Sequence, residues 1–174
     1  MSGVVTLVGN PREGSRTLSV AVEAAETLGE RIGLGRSTEL VDLSALGPHL
    51  LSTTPSAGVE VAAELVHGAD VLLVASPTYK GTYTGLLKAF LDRLPSGGLA
   101  GTVALPLLVM GDPRHALAVE VHLRPLLVEL GATVPTPGLA LVESDIPRLG
   151  EVLSGWYDRV APQVVAALRE GAVA

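Results

Sequence analysis

Residues 4–17 read VVTLVGNPREGSRT and pass from an apolar run, through a turn, into the start of an amphipathic pattern. The apolar run predicts a buried strand over residues 3–8, which ends at the turn-forming residues 9–11. Apolar residues then recur every three or four positions over residues 15–32, which predicts an amphipathic helix. The stretch therefore predicts a buried strand that leads through a short loop directly into a helix.

The rest of the chain repeats this alternation. Further strands are predicted over residues 38–43, 71–75, 103–110 and 139–142, and further helices over residues 57–67, 85–94, 115–130 and 146–168. Strands that are continuous runs of Val and Leu are buried on both faces, which is typical of a parallel sheet covered by helices. We therefore predict an α/β fold in one domain, residues 1–174: a flavodoxin-like, doubly wound, five-stranded parallel sheet with helices on both faces. Its ligand crevice should lie at the carboxyl ends of the strands.

Composition excludes several functional classes. The chain has no cysteine, so disulfide scaffolds, thiolate metal sites and cysteine nucleophiles are excluded, and no metal site is predicted. Its net charge is −6 without a basic cluster, which argues against nucleic acid or an anionic membrane surface as a partner. No apolar stretch reaches the roughly 20 residues of a spanning helix, and no basic segment precedes the first apolar run. These patterns predict a cytoplasmic protein.

The first carboxyl-end loop has the features of an anion site. A helix start presents unpaired N–H groups, and here Ser15 and Thr17 add hydroxyls while Arg12 and Arg16 add guanidinium groups. The first helical turn holds Arg16 and no carboxylate, an unfavourable choice unless an anion binds there. The alternative is that Ser15 is an ordinary N-cap and Arg16 a solvated side chain. Neither the Walker A lysine nor the dinucleotide glycine fingerprint is present, so a terminal phosphate monoester is the favoured ligand.

A second loop, residues 76–85, carries two of the three tyrosines of the chain. Aromatic and amide surface at the carboxyl end of a strand could line a planar ring. An ordinary strand-to-helix turn with locally packed tyrosines explains the same residues equally well.

Together, the two loops resemble the NAD(P)H-dependent FMN reductase family. The resemblance is carried by Asn10-Pro11-Arg12, by Ser15-Arg16-Thr17 and by the long motif SPTYKGTYTGLLKAFLD at residues 76–92, and it extends over about residues 3–145. Within the family it is strongest to the flavin-supplying reductases of two-component alkanesulfonate monooxygenase systems.

The resemblance implies FMN as cofactor and NADPH or NADH as hydride donor, with no catalytic side chain. It places the FMN phosphate on the first loop, at Asn10, Arg12, Ser15, Arg16 and Thr17. It places the flavin ring on the second loop, at Pro77, Thr78, Tyr79, Lys80 and Gly81. In the third loop, which is shorter than the family pattern, Gly111 and His115 match, and a surface position for His115 remains an alternative. A flavin-dependent monooxygenase is implied as the recipient of reduced FMN.

Three other functions fit the same residues. One is an FMN-dependent quinone or azo-dye reductase, another is a flavodoxin-like electron carrier without NAD(P)H activity, and the third is a phosphate-binding module without flavin.

Pro125 interrupts the helix predicted over residues 115–130. Proline removes one backbone hydrogen bond and clashes with the carbonyl of Val121, so a kink or a π-type turn is expected near residues 121–124. The apolar residues around Pro125, and those of residues 85–94, are more numerous than one helix face packed on the sheet requires. Surplus apolar surface usually contacts another subunit, so a homodimer or homotetramer through these two helices is predicted.

Overall fold

A computed structural model describes residues 3–36 and 38–171 of the chain. Its sheet has five parallel strands in the order β2-β1-β3-β4-β5. They are β1 (Val4–Val8), β2 (Thr38–Asp42), β3 (Val71–Pro77), β4 (Val103–Met110) and β5 (Leu139–Val142). The predicted flavodoxin-like fold is confirmed. The strand order reverses between β1 and β3, and a doubly wound sheet binds its ligands in the crevice at such a reversal.

Helices cover both faces of the sheet. They are α1 (Arg16–Arg31), α2 (Gly47–Leu50), α3 (Ala57–His67), α4 (Gly85–Leu91), α5 (Arg124–Glu129) and α6 (Leu149–Gly171). Successive strand residues point to opposite faces, so β1 gives Val4 and Val8 to the core under α1 and α6, and Val5 and Leu7 to the core under α3, α4 and α5. Among the described helices, none combines the length and the apolar character that a membrane crossing requires.

Several element bounds differ from the sequence prediction, and two of the differences lie beside proline residues. Strand β3 runs to Pro77 rather than residue 75, and Pro77 lies opposite Val109 while the Thr78 amide donates to the Val109 carbonyl at 2.9 Å. The last helix begins at Leu149 rather than residue 146, after a 3-10 segment, Glu143–Arg148, that contains Pro147. Proline lacks an N–H donor and disturbs the regular helical ladder. Short α2 has no counterpart in the sequence prediction.

The helix predicted over residues 115–130 is three shorter pieces. A 3-10 turn (Pro113–His115) comes first, followed by a π-helical segment (Val119–Leu123) and then by α5. The amide of Arg124 donates to the carbonyl of Val119, five residues earlier. The interruption expected ahead of Pro125 is confirmed as a π-type turn, while the regular α-helical part is shorter than residues 115–130.

Candidate functional site

A cavity of about 330 Å³ opens where β1, β3 and β5 end. Its walls come from the two loops that follow β1 and β3 and from the residue directly after β5. The lining residues are Asn10, Arg12, Glu13, Gly14, Ser15, Arg16, Thr17, Pro77, Tyr79 and Glu143. The structure thus brings together seven of the twelve predicted site residues in one cavity, while Thr78, Lys80, Gly81, Gly111 and His115 lie outside its lining.

Buried polar side chains fix the shape of the first loop. The Asn10 amide nitrogen donates to the Thr17 hydroxyl at 3.1 Å, and the Asn10 amide oxygen accepts from the Arg12 backbone N–H at 3.0 Å. Asn10 and Thr17 are both buried. One end of the Asn10 amide holds the loop and the other holds the helix start, so these hydrogen bonds fix the loop against α1.

The start of α1 offers hydrogen-bond donors to the cavity. Ser15 is the N-cap, and its hydroxyl accepts from the Leu18 amide at 3.2 Å. This is the ordinary N-cap role that the sequence analysis gave as the alternative for Ser15. The geometry of an α-helix leaves the N–H groups of Arg16 and Thr17 without intrahelical acceptors. The first turn of α1 contains no acidic residue, so the positive end of the helix dipole faces the cavity uncompensated from within the helix.

Arg16 has an anionic partner that the sequence analysis missed. A guanidinium nitrogen of Arg16 lies 3.0 Å from a carboxylate oxygen of Glu143. The cation in the first turn of α1 is therefore balanced across the cavity by the residue that follows β5.

The first and second loops are joined at Gly9. The Thr84 hydroxyl donates to the Gly9 carbonyl at 2.5 Å and accepts from the Leu87 amide at 3.2 Å, which also caps α4. A Cβ atom on Gly9 would lie 2.6 Å from the Leu87 Cβ, a distance that side chains do not tolerate. Glycine at position 9 thus lets β1 approach α4 closely.

The second loop makes a tight turn at its tip. The Tyr79 amide donates to the Thr82 carbonyl at 2.9 Å, and Lys80 and Gly81 have φ angles of 55° and 83°. Two successive positive φ angles are typical of a type I′ turn. The turn places Tyr79 at the edge of the cavity, where its side chain is 42% exposed.

The two tyrosines of this loop have different environments. Tyr83 packs against the apolar core under α4, whereas Tyr79 lines the cavity. The hydroxyl oxygens of Thr78 and Thr82 are buried and have no hydrogen-bond partner within the described part of the chain. Unpaired buried hydroxyls are costly unless a water or ligand satisfies them.

The third loop lies beside the second loop rather than in the cavity. A Cβ atom on Gly81 would be 3.9 Å from two atoms of the His115 ring, so this half-buried ring stands next to the turn. Asp112 pairs with Arg114 at 2.6 Å, and these hydrogen bonds lower the pKa of Asp112 to about 2. Gly111 is exposed at the end of β4.

The model of the NADPH-dependent FMN reductase family matches residues 3–145, a range that contains every residue of the cavity lining. The chain belongs to this family. The resemblance drawn from the two loops is thus confirmed.

Two relatives and one solved structure give the degree of similarity within the FMN reductase family. An FMN reductase (NADPH) of Escherichia coli (strain K12) is 37% identical over 145 residues, covering 82% of this chain and 74% of the relative. An NADH-dependent FMN reductase, SfnF of Pseudomonas putida, is 35% identical over 147 residues, covering 81% of this chain and 78% of the relative. The apo form of an NADH:FMN oxidoreductase (EMOB) superposes with a TM-score of 0.73 at 33% identity, covering 90% of this chain and 89% of that one.

The sequence analysis missed three residues of the cavity in this FMN reductase family member. Glu13 and Gly14 lie inside the first loop, and the φ angle of 61° at Gly14 marks a turn that favours glycine. Glu143 follows β5 immediately. The rule that pointed to the first two loops, that ligand-binding residues follow the carboxyl ends of parallel strands, applies equally to Glu143.

Proposed function

We propose that this protein is an NAD(P)H-dependent FMN reductase that transfers hydride from NADPH or NADH to FMN. The observation that carries the proposal is the meeting, in one cavity at the strand-order reversal, of the cationic start of α1 with the exposed Tyr79 loop. Family membership and the relatives named above support it. The cavity volume is also within the range of small-molecule sites.

The first loop fits the phosphate of FMN. The N–H groups of Arg16 and Thr17, the hydroxyl of Thr17 and the guanidinium of Arg12 would donate to phosphate oxygens. Ser15 closes the helix start and Asn10 holds Thr17 in place. These N–H, hydroxyl and guanidinium donors are the groups that a phosphate dianion requires.

The second loop fits the flavin ring. Pro77 and Tyr79, which line the cavity, would contact the face or edge of the ring, and Thr78 lies between them in the chain. The Lys80-Gly81 turn sets the direction of Tyr79, and His115 supports that turn from the third loop, after Gly111. FMN supplies the hydride-accepting ring, so the protein needs to orient it and exclude water, and requires no side-chain acid or base.

For the physiological setting, we propose a cytoplasmic homo-oligomer that supplies reduced FMN to a flavin-dependent monooxygenase. The exposed apolar residues Leu117, Val121 and Val128 lie before, within and after the π-helical segment and support an interface there. Helix α4 contributes less support than its composition suggested, because Leu87, Phe90 and Leu91 are buried in the core of its own protomer.

Purified protein mixed with FMN and either nicotinamide tests the proposed activity. We expect steady loss of the nicotinamide absorbance band that depends on added FMN. Flavin binding without nicotinamide oxidation would indicate an electron carrier instead. Faster reduction of a quinone or azo dye than of free FMN would indicate the tightly bound form of reductase, and no flavin binding at all would overturn the proposal.

A further inference from the structure

Glu143 is a carboxylate placed in a cavity whose other features favour anions. It follows the last residue of β5, Val142, which is paired with Met110 of β4, so the sheet holds its backbone in position. Its side chain is 37% exposed and reaches Arg16 at 3.0 Å across the cavity. Neither the family resemblance nor the hydride transfer requires an acidic residue at this point.

The charges of the cavity cancel. Arg12 and Arg16 contribute two positive charges, and Glu13 and Glu143 contribute two negative charges. Glu143 lies against a guanidinium that the phosphate of FMN would use, whereas Glu13 is exposed on the loop. A phosphate that enters must therefore displace or share the partner of Arg16, and it must do so beside a like charge.

We propose that Glu143 competes with the FMN phosphate for Arg16 and thereby keeps the affinity of the protein for FMN low enough for the flavin to exchange. The inference rests on the proposed function, and it names Glu143 as a residue that tunes the affinity for FMN without touching the reacting atoms. It fits a flavin that is released after reduction, because release of the phosphate end is assisted by an internal anion that is ready to take its place. Glu143 affects phosphate-bearing flavin alone, since riboflavin has no group that meets Arg16.

The variant Glu143→Gln keeps the shape of the side chain and removes its charge. We expect it to lower the dissociation constant of FMN by about fivefold, the change in an equilibrium constant that corresponds to an exposed ion pair at the upper end of its usual strength. Riboflavin affinity should change by less than about twofold. Titrations of flavin fluorescence or calorimetry measure both constants on the free protein, independently of turnover.

Asp145→Asn is the matched control. Asp145 lies on the same 3-10 segment, pairs with Arg148 at 2.9 Å and is not part of the cavity lining, so its loss removes the same net charge from the same segment without touching Arg16. We expect it to leave the FMN constant within about twofold. A second control is Arg16→Ala, in whose background Glu143→Gln should strengthen FMN binding less than it does in the wild type, because the competition for Arg16 is gone and only the repulsion between carboxylate and phosphate remains.

Three results would overturn the inference. They are an unchanged FMN constant in Glu143→Gln, an equal gain for riboflavin, and an equal gain in Asp145→Asn. Each of these results requires that the wild-type protein bind FMN, so they leave the proposed function intact. Failure of every variant and of the wild type to bind flavin would instead overturn the proposed function, and the inference with it.

Discussion

The Thr84 hydroxyl donates to the Gly9 carbonyl at 2.5 Å and so joins the loop after β3 to the end of β1. The same oxygen accepts from the Leu87 amide and caps α4. One buried hydroxyl thereby positions both walls of the cavity relative to each other, the wall proposed for the phosphate and the wall proposed for the ring. Residues that bind nothing can in this way determine the geometry of a site.

Replacing Thr84 with Val should destabilise the fold. The variant leaves the Gly9 carbonyl and the Leu87 amide without their partner, and the lost cap and hydrogen bond should cost about 1–3 kcal/mol of unfolding free energy. Denaturant unfolding measures the loss. Thr82→Val is the control, because the Thr82 hydroxyl is buried without a partner in the described structure and its removal should cost little. Equal losses in both variants would contradict the role given to Thr84.

Arg16→Ala should weaken FMN much more than riboflavin. A charge-assisted hydrogen bond to phosphate contributes roughly 1.5–3 kcal/mol, and solvent exposure of Arg16 places the expected loss near the lower value, about tenfold in FMN affinity. Parallel titrations with the two flavins check it. Arg148→Ala removes an exposed arginine that pairs with Asp145 and should change neither affinity. Equal losses for FMN and riboflavin after Arg16→Ala would show that the phosphate is bound elsewhere.

Variants of Tyr79 and Tyr83 should distinguish a binding role from a packing role within the same loop. Tyr79→Ala should alter flavin affinity or turnover and leave thermal stability nearly unchanged, because Tyr79 is 42% exposed at the cavity edge. Tyr83→Ala should lower the unfolding free energy by about 1–3 kcal/mol, less than a fully buried aromatic residue, because Tyr83 packs against the core. Thermal melts and flavin titrations of both variants check the pair. A large fall in the melting temperature of Tyr79→Ala with unchanged kinetics would support the local-packing interpretation of both tyrosines.

The fold could be predicted from the sequence because most of its strands are short, largely apolar runs. Val71 to Ala75 and Val103 to Met110 leave little choice other than strands buried on both faces, and Ser15 gives α1 its start. Among the bounds that failed, β3 extends past residue 75 because its pairing with β4 continues to Pro77, and α6 begins late because a 3-10 segment with Pro147 precedes it. The effect of Pro125 could be predicted because it is local: the ring clashes with the preceding turn, and the π-helical segment lies directly upstream of it.

The site was predictable only where its residues are adjacent in sequence. Two contiguous motifs provide most of the lining: all of residues 10–17 except Pro11, and Pro77 and Tyr79. Glu143 is separated from Arg16 by more than half of the chain and joins it only because β5 lies in the same sheet. No sequence motif predicts such a pair, because an ion pair at the edge of a sheet depends on the order of the strands and not on the spacing of the two residues in the sequence.

Glu120 should make stability depend on pH. Its carboxylate accepts from Arg124 and from the Gly138 amide, and the Arg124 hydrogen bond, followed by the Gly138 amide, outweighs burial and lowers the pKa of Glu120 below its ordinary value of 4.5. A lowered pKa in the folded state means that the stabilisation is present above the ordinary value and is lost as the pH falls through the folded one. Glu120→Gln should therefore be less stable than the wild type at neutral pH, and the difference should shrink in acid.

Denaturant unfolding at neutral and acidic pH measures this effect. Glu129→Gln is the control, because Glu129 is exposed near the end of α5 and should show a small difference at both values. A pH-independent difference between wild type and Glu120→Gln would show that the side chain acts through shape and not through charge.

The exposed residues around the π-helical segment should hold subunits together. Leu117, Val121 and Val128 are 66%, 51% and 54% exposed, and they lie before, within and after the π-helical segment. A triple substitution to Ser should shift the protein to a monomer, measured by light scattering at micromolar concentration. Leu51→Ser, at a residue that is 86% exposed elsewhere in the chain, should leave the mass unchanged. Since these side chains contribute little to the core of their own protomer, the monomer should keep its thermal stability and its FMN affinity. A wild-type protein that is already monomeric, with FMN present and full activity, would contradict the proposed assembly.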